Sequence, residues 1–237
     1  MKKVLIIIPA YNEEANIERV VDNLIENYPQ YDYLVINDGS KDHTLEICQK
    51  NNYNHLNMPI NVGLSDGVQA GLMYAYEKKY DYAIQFDGDG QHDPSYIARM
   101  VEAMDECDVC IGSRFVEKKK PKSARMLGSN LIQFIILLTT GKKIKDPTSG
   151  MRMFNRKIIK VMSRTADYGP EPDTIAHLIR SGARVKEVQV EMSERIAGES
   201  YLNFGRSIKY MFHMCFSIVF MQWFRKKAKI KKKEAKK

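Results

Sequence analysis

Short apolar runs alternate with amphipathic stretches along the first half of the chain, and this leaves few folds open. Residues 4–8 are five consecutive aliphatics, the pattern of a strand buried on both faces. Ile17, Val20, Val21, Leu24 and Ile25 then recur at helical spacing, with Asn12 expected as N-cap and Glu13 and Glu14 in the first turn. Strands are expected at 34–36, 82–86 and 109–111, and helices at about 44–51, 63–79 and 94–104. Such alternation predicts an α/β fold: a mostly parallel sheet with helices on both faces. Ligands on these sheets bind beyond the carboxyl ends of the strands. Here those ends read Pro9-Ala10-Tyr11-Asn12-Glu13, Asn37-Asp38-Gly39-Ser40, Asp87-Gly88-Asp89 and Gly112-Ser113-Arg114, all polar or glycine-rich.

Charge is distributed unevenly. The net charge is +8, and residues 225–237 hold nine Lys/Arg and one Glu, which accounts for all of it. The first 224 residues carry 28 basic and 28 acidic groups. A nucleic-acid-binding fold keeps its positive charge on the folded face, so no nucleic-acid partner is expected. A basic tail behind an apolar segment points instead to an anionic membrane surface. That segment, residues 210–224, has no charged side chain if His213 is neutral, and is too short to cross a bilayer. Ile208, Met211, Phe212, Cys215, Phe216, Val219, Phe220 and Trp223 form a stripe on it, as in a helix lying in the membrane interface. The competing expectation is a helix packed on the body or in a dimer interface. The apolar run after Met1-Lys2-Lys3 ends at Pro9 without a cleavage site and does not read as a signal peptide. Four cysteines do not make a disulfide scaffold, and Cys107 and Cys110 are expected to be structural. The expected divisions are 1–204, a catalytic body; 205–224, an amphipathic helix; and 225–237, a basic tail.

Common nucleotide signatures are absent. There is no P-loop, and Gly88-x-Gly90 lacks the third glycine of a dinucleotide fingerprint because position 93 is Asp. Asp87-x-Asp89-x-Gln91 is not an EF-hand loop, since the turn glycine and the final Glu are missing. Two carboxylates one residue apart at a strand end can grip a hard divalent cation, Mg2+ or Mn2+, with Gln91 as a neutral oxygen and substrate phosphates completing the shell. The plainer alternative is a solvated acidic turn with Asp93 capping the next helix. Asp38 can accept from a nucleobase N–H or simply form a turn before Gly39.

Six segments occur in order: Pro9-Ala10-Tyr11-Asn12-Glu13-Glu14, Asn37-Asp38-Gly39-Ser40, Asn61-Val62-Gly63-Leu64, Asp87-Gly88-Asp89-Gly90-Gln91-His92-Asp93-Pro94, Gly112-Ser113-Arg114-Phe115 and Asp146-Pro147-Thr148-Ser149-Gly150. Over roughly residues 4–202 the chain resembles the family 2 glycosyltransferases of GT-A fold, in the polyprenyl-phosphate (dolichol-phosphate mannose synthase-like) branch. The resemblance implies that Pro9, Tyr11, Glu13 and Asp38, with Gly88, hold the nucleotide. It implies that Asp87, Asp89 and Gln91 form the metal and diphosphate site, and that Arg114 faces phosphate. Arg125 and Ser129 reproduce the Arg-x3-Ser spacing that holds an acceptor phosphate, and Arg195 and Ser200 match a loop closing over the donor. Two positions depart from the family pattern: Asn37 replaces the first Asp of Asp-Asp-Gly-Ser, and Tyr201 stands where Lys is common.

The implied reaction is inverting, metal-dependent transfer of a hexosyl or N-acetylhexosaminyl group from a nucleotide-sugar, UDP-sugar being favoured, to a polyprenyl phosphate. The implied location is the cytoplasmic face of the membrane, peripherally bound, with a homo-oligomer allowed. An acceptor phosphate is already anionic, so it needs positioning more than deprotonation. A saccharide acceptor in surface polysaccharide synthesis would need a general base. Glu171 and Asp173 lie where relatives with sugar acceptors place theirs, and the alternative for this pair is capping of the helix that carries Ile175, Leu178 and Ile179. A reading of another class is a non-catalytic membrane adaptor on the same fold; the intact Asp87, Asp89, Arg114 and Arg125 count against it.

Overall fold

The computed structural model describes residues 2–164, 169, 171–193, 204–221, 224–225, 227–228 and 230, with the side chains of 124–125 and 204–208 left aside. Its strands are β1 (Val4–Ala10), β2 (Asp32–Asn37), β3 (His55–Asn57), β4 (Tyr82–Gln85), β5 (Val109–Ser113), β6 (Arg152–Asn155) and β7 (Val185–Gln189). They form a sheet in the order β3-β2-β1-β4-β6-β5-β7. β6 runs antiparallel to both its neighbours, and all the other pairs are parallel. The carboxyl ends of the six parallel strands therefore share one edge of the sheet, and β6 starts there.

The helices are α1 (Ile17–Asn27), α2 (Thr44–Lys50), α3 (Leu64–Glu77), α4 (Tyr96–Ala103), α5 (Ala124–Thr140), α6 (Arg156–Met162), α7 (Pro172–Arg180) and α8 (Phe204–Phe216), the last continuing as a π-helical segment Ser217–Met221. Alternate strand residues feed two cores. Val4, Ile6 and Ile8 pack with Ile17, Val21, Ile97 and Met100 of α1 and α4 on one face. Leu5, Ile7, Ala83 and Phe154 pack with Leu72, Ile136, Ile158, Leu178 and Ile218 on the other. The sheet is covered on both faces, which is why β1 reads as an unbroken aliphatic run.

Local details differ from the sequence expectation. Asn12 does not cap α1. It sits at φ 57°, with its Oδ1 accepting from the Lys41 N–H, and the helix starts four residues later, behind Asn16. Glu171 precedes α7 but makes no capping bond, because its carboxylate is taken by the Tyr210 hydroxyl at 2.5 Å. Asp93 does accept from the Ser95 N–H at the entry to α4.

The apolar C-terminal helix has two faces. Met214, Ser217 and Ile218 are buried against α5 and α7, whereas Phe212, Phe216 and Phe220 point to solvent. The expected stripe is therefore divided. Its phenylalanines are outside, and the inner face also recruits Met214, Ser217 and Ile218, partly because the π-helical segment shifts the register after Phe216. Gly128 of α5 permits the close approach: a Cβ there would lie 1.4 Å from Met211 Sδ. Gly128→Ala is expected to lower stability by about 1 kcal/mol net, overpacking outweighing better helix propensity. In urea melts, Gly128→Ala combined with Met211→Ala should cost less than the sum of the two single changes.

Candidate active site

The Asp146–Gly150 segment ties together the ends of β4, β5 and β6. Asp146 has 0% of its surface exposed, and its carboxylate takes Arg114 in a two-pronged grip, Nε at 2.8 Å and Nη2 at 2.9 Å, with the Arg114 backbone N–H at 3.1 Å. Burial pulls the Arg114 guanidinium down, but the hydrogen bonds and charge of Asp146 outweigh this and raise it above its ordinary value. Nη1 of Arg114 makes no hydrogen bond to a described residue. At the other end of the segment Gly150 lies against Asp87: a Cβ there would be 2.7 Å from Asp87 Oδ2. One five-residue loop thus touches both the acidic turn after β4 and the arginine after β5.

Asp87 follows β4 directly. Gln85 Nε2 donates to its Oδ1 at 3.1 Å, and the Asp87 N–H donates to His92 Nδ1 at 2.9 Å. That bond fixes the neutral His92 tautomer with its proton on Nε2, which faces Asp87 Oδ2 at 3.6 Å. His92 is buried edge-on against Phe86. Asp89 is buried, and its Oδ1 accepts from the Gln91 N–H at 3.0 Å. The Gln91 amide nitrogen donates to the Ser193 carbonyl, leaving its Oε1 as a neutral oxygen. Among the described residues no three His, Cys, Asp or Glu side chains come together. The donor set is two carboxylates and one amide oxygen. It fits a hard cation that draws the rest of its shell from phosphate and water, and would not make a closed protein cage.

Across the sheet edge, Gly88 lies under the Pro9 carbonyl: a Cβ there would sit 3.1 Å from that oxygen. Tyr11 is exposed, and Glu13 accepts from the Asn16 side chain at 2.8 Å. Asp38 is buried, and its two carboxylate oxygens accept the Val62 and Gly63 N–H groups, each at 2.8 Å. Asp38 therefore holds the 61–63 loop in place, and each oxygen keeps a second lone pair. Ser129 is buried on α5 and meets Lys120 Nζ at 3.2 Å. The Arg125 side chain, Arg195 and Ser200 lie outside the described residues. Asp173 is buried and committed: its Oδ2 accepts from Ser217 Oγ at 2.7 Å and Arg225 Nη1 at 3.2 Å.

Sequence reading missed Arg152, which is 1% exposed at the start of β6. Its Nε and Nη2 donate to the Ser149 and Pro147 carbonyls at 2.9 and 2.7 Å, so it braces the Asp146–Gly150 loop from below. Burial pulls its guanidinium below the ordinary value, against the charges of Glu171, Tyr210, Asp146 and Asp173. Its Nη1 and the Oε1 of its register partner Gln85 are both buried without a hydrogen-bond partner among the described residues. Folds rarely leave such atoms unpaired, and functional edges are where exceptions collect. No sequence signal marks Arg152, because a strand arginine reads as an exposed one.

Residues 5–162 match the model of the family described as Glycosyl transferase family 2. The chain is 35% identical over 184 residues to the UDP-N-acetylglucosamine–dolichyl-phosphate N-acetylglucosaminyltransferase of Methanococcus voltae, covering 68% of this chain and 73% of that one. It is 30% identical over 218 residues to the undecaprenyl-phosphate mannosyltransferase of Micrococcus luteus, covering 86% and 88%. Among solved structures, glucosyl-3-phosphoglycerate synthase from Mycobacterium tuberculosis with Mn2+, UDP and phosphoglyceric acid superposes with TM-score 0.64 at 15% identity, covering 90% and 78%. A mannosyltransferase from Pyrobaculum calidifontis with GDP-Man and Mn2+ gives TM-score 0.64 at 16% identity, covering 95% and 65%. These structural likenesses establish the GT-A fold.

Removing the Asp146 charge tests the brace. Asp146→Asn should destabilise the protein by about 2 kcal/mol, below the usual figure for a broken buried pair because Arg114 still reaches solvent. Denaturant melts measure this, and Asp146→Ala should cost more.

Proposed function

Because the chain belongs to glycosyl transferase family 2, we propose that it transfers a sugar from a nucleotide-sugar to a membrane polyprenyl phosphate. The observation that carries this reading is the Asp146–Gly150 loop, which holds the Asp87 carboxylate and the Arg114 guanidinium at one sheet edge. Names of relatives support the acceptor: the matched curated enzymes act on dolichyl and undecaprenyl phosphates. Both N-acetylhexosaminyl and hexosyl transferases are among them, so the sugar follows from the donor screen below.

In this reading Pro9, Tyr11, Glu13 and Asp38 hold the nucleoside, with Asp38 fixed by two backbone N–H groups and able to accept from the base. Asp87, Asp89 and Gln91 would hold Mg2+ or Mn2+. When bound, such a cation supplies electrostatic stabilisation to the leaving diphosphate. Arg114 keeps one guanidinium edge for phosphate while Asp146 fixes the other. Ser129, and Arg125 from the first turn of α5, position the acceptor. A phosphate oxygen attacks the anomeric carbon as its bond to the diphosphate oxygen breaks, inverting the centre and releasing the nucleoside diphosphate. No base is required. Asp173, the residue that a hydroxyl acceptor would use, is tied to Ser217 and Arg225, which favours a phosphate acceptor.

The membrane reading rests on two packed helices. α5 exposes Leu127, Leu131, Phe134 and Leu138, and α8 with its π-helical extension exposes Phe212, Phe216 and Phe220. Phe212 and Leu127 are 72% and 73% exposed, too much apolar surface for a face that meets only water. No helix among the described residues is long and apolar enough to cross a membrane. Peripheral binding at the cytoplasmic face, reinforced by the basic tail, accounts for both features.

Two experiments test these readings. With radiolabelled nucleotide sugars, Mn2+ and polyprenyl phosphate, label should pass into the organic phase, and Asp89→Ala should reduce this at least about a thousandfold. Turnover with a saccharide acceptor and none with polyprenyl phosphate would overturn the acceptor assignment. In flotation with anionic vesicles, Phe212→Glu/Phe216→Glu should stay in the soluble fraction while the parent protein floats. Equal flotation would reject the α5–α8 face as the docking surface.

A further inference from the structure

Lys120 is a half-buried cation that forms no ion pair with a carboxylate among the described residues. Its Nζ donates to two neutral oxygens, Ser129 Oγ at 3.2 Å and Gln133 Oε1 at 3.0 Å, and no carboxylate among the described residues lies within ion-pair distance. The ammonium group also sits 5.5 Å from the centre of the Phe115 ring, and that ring receives the Arg114 guanidinium at 5.2 Å. Two cations therefore share one aromatic ring. Arg114 has Asp146; Lys120 has no such partner.

The surroundings show the cost. Burial depresses the Lys120 ammonium; the charges of Asp146 and Glu187 act against this without reversing it, and the Arg114 charge adds to it. Those two carboxylates are already occupied. Asp146 grips Arg114, and Glu187 accepts the Lys145 and Asp146 N–H groups at 2.7 and 2.8 Å. If the role of Lys120 were only to tie its loop to α5, a neutral amide would serve without the desolvation penalty. A desolvated ammonium with one N–H to spare, next to a guanidinium with a spare edge and a buried hydroxyl, is a set of donors without its anion.

We propose that Lys120 binds the phosphomonoester of the acceptor, completing a pocket with Arg114 and Ser129. This inference rests on the phosphate-acceptor reading above and names a binding residue that the six sequence motifs do not contain. On anion binding, the Nζ bond to Ser129 Oγ lets that hydroxyl turn its own proton towards the phosphate. The repulsion between Lys120 and Arg114 is relieved at the same time. The residue becomes a discriminator: it favours a phosphorylated acceptor over the corresponding alcohol, for which its charge would stay buried and unmatched.

The test uses the full-length protein with farnesyl phosphate, farnesol and 3-phosphoglycerate as probes. In steady-state transfer, Lys120→Gln should raise the farnesyl phosphate KM roughly tenfold, the loss of one charge-assisted hydrogen bond, and leave the donor KM unchanged. Lys120→Arg should restore the acceptor KM to within about threefold. A second readout needs no variant. Amine-reactive labelling of the native protein, read by mass spectrometry, should show Lys120 protected by farnesyl phosphate and unprotected by farnesol. An unchanged acceptor KM in a folded Lys120→Gln protein, or labelling of Lys120 that neither phosphomonoester slows, overturns the inference while leaving the acceptor reading, which is decided by transfer to polyprenyl phosphate, intact. Protection by 3-phosphoglycerate but not by farnesyl phosphate supports the anion site and overturns the lipid acceptor.

Discussion

The carboxylate of Asp146 is cut off from solvent, and the geometry of the functional edge depends on what it holds. It fixes the side chain and the backbone N–H of Arg114 together, so the arginine cannot swing without breaking a desolvated pair. The loop that carries Asp146 is held in turn by Arg152 from within the sheet and by Glu187 from β7. Three strands that are distant in sequence thus converge on five residues. The antiparallel β6 makes this possible: by starting where its neighbours end, it delivers Gly150 and Arg152 to the edge where Asp87 and Arg114 emerge.

The cations at this edge are set apart by their partners. Arg152 is wholly buried and donates to carbonyls, Arg114 is half committed to a carboxylate, and Lys120, among the described residues, is bound to neutral oxygens. On the proposed function, the series runs from support to recognition. Asp173 belongs at the supporting end, since its carboxylate joins α7 to the C-terminal helix. Its sequence position suggested chemistry, but its bonds are those of a structural fastening.

β1, β2, β4 and β5 were legible because each is a short apolar run that ends in a polar or glycine-bearing turn, a local signal; the three-residue β3, His55–Asn57, was not. β6 and β7 were not, since Arg152 and Lys186 interrupt their apolar pattern and their partners lie 41–76 positions away. The acidic turn and Gly112-Ser113-Arg114 were visible as types in order, whereas the Arg114–Asp146 grip, 32 residues apart, needed coordinates. Lys120 was hidden by its neighbours. In Glu117-Lys118-Lys119-Lys120 it reads as one more solvated charge, and only packing against Phe115 and α5 separates it from Lys118, which pairs with Glu191 at the surface. The C-terminal helix was legible as amphipathic, but the choice of face was not, because both of its sides are apolar.

α5 turns a buried serine inward to Lys120 and, two residues earlier and two later, turns Leu127 and Leu131 outward. On the proposed function, headgroup chemistry and greasy exterior are thus separated by the width of a single helix and share its rigid backbone. Any rotation or slide of that rod moves both surfaces by a similar amount. Adjusting how deeply the outer leucines sit would also re-aim the serine, so the two properties cannot drift independently over generations of substitution.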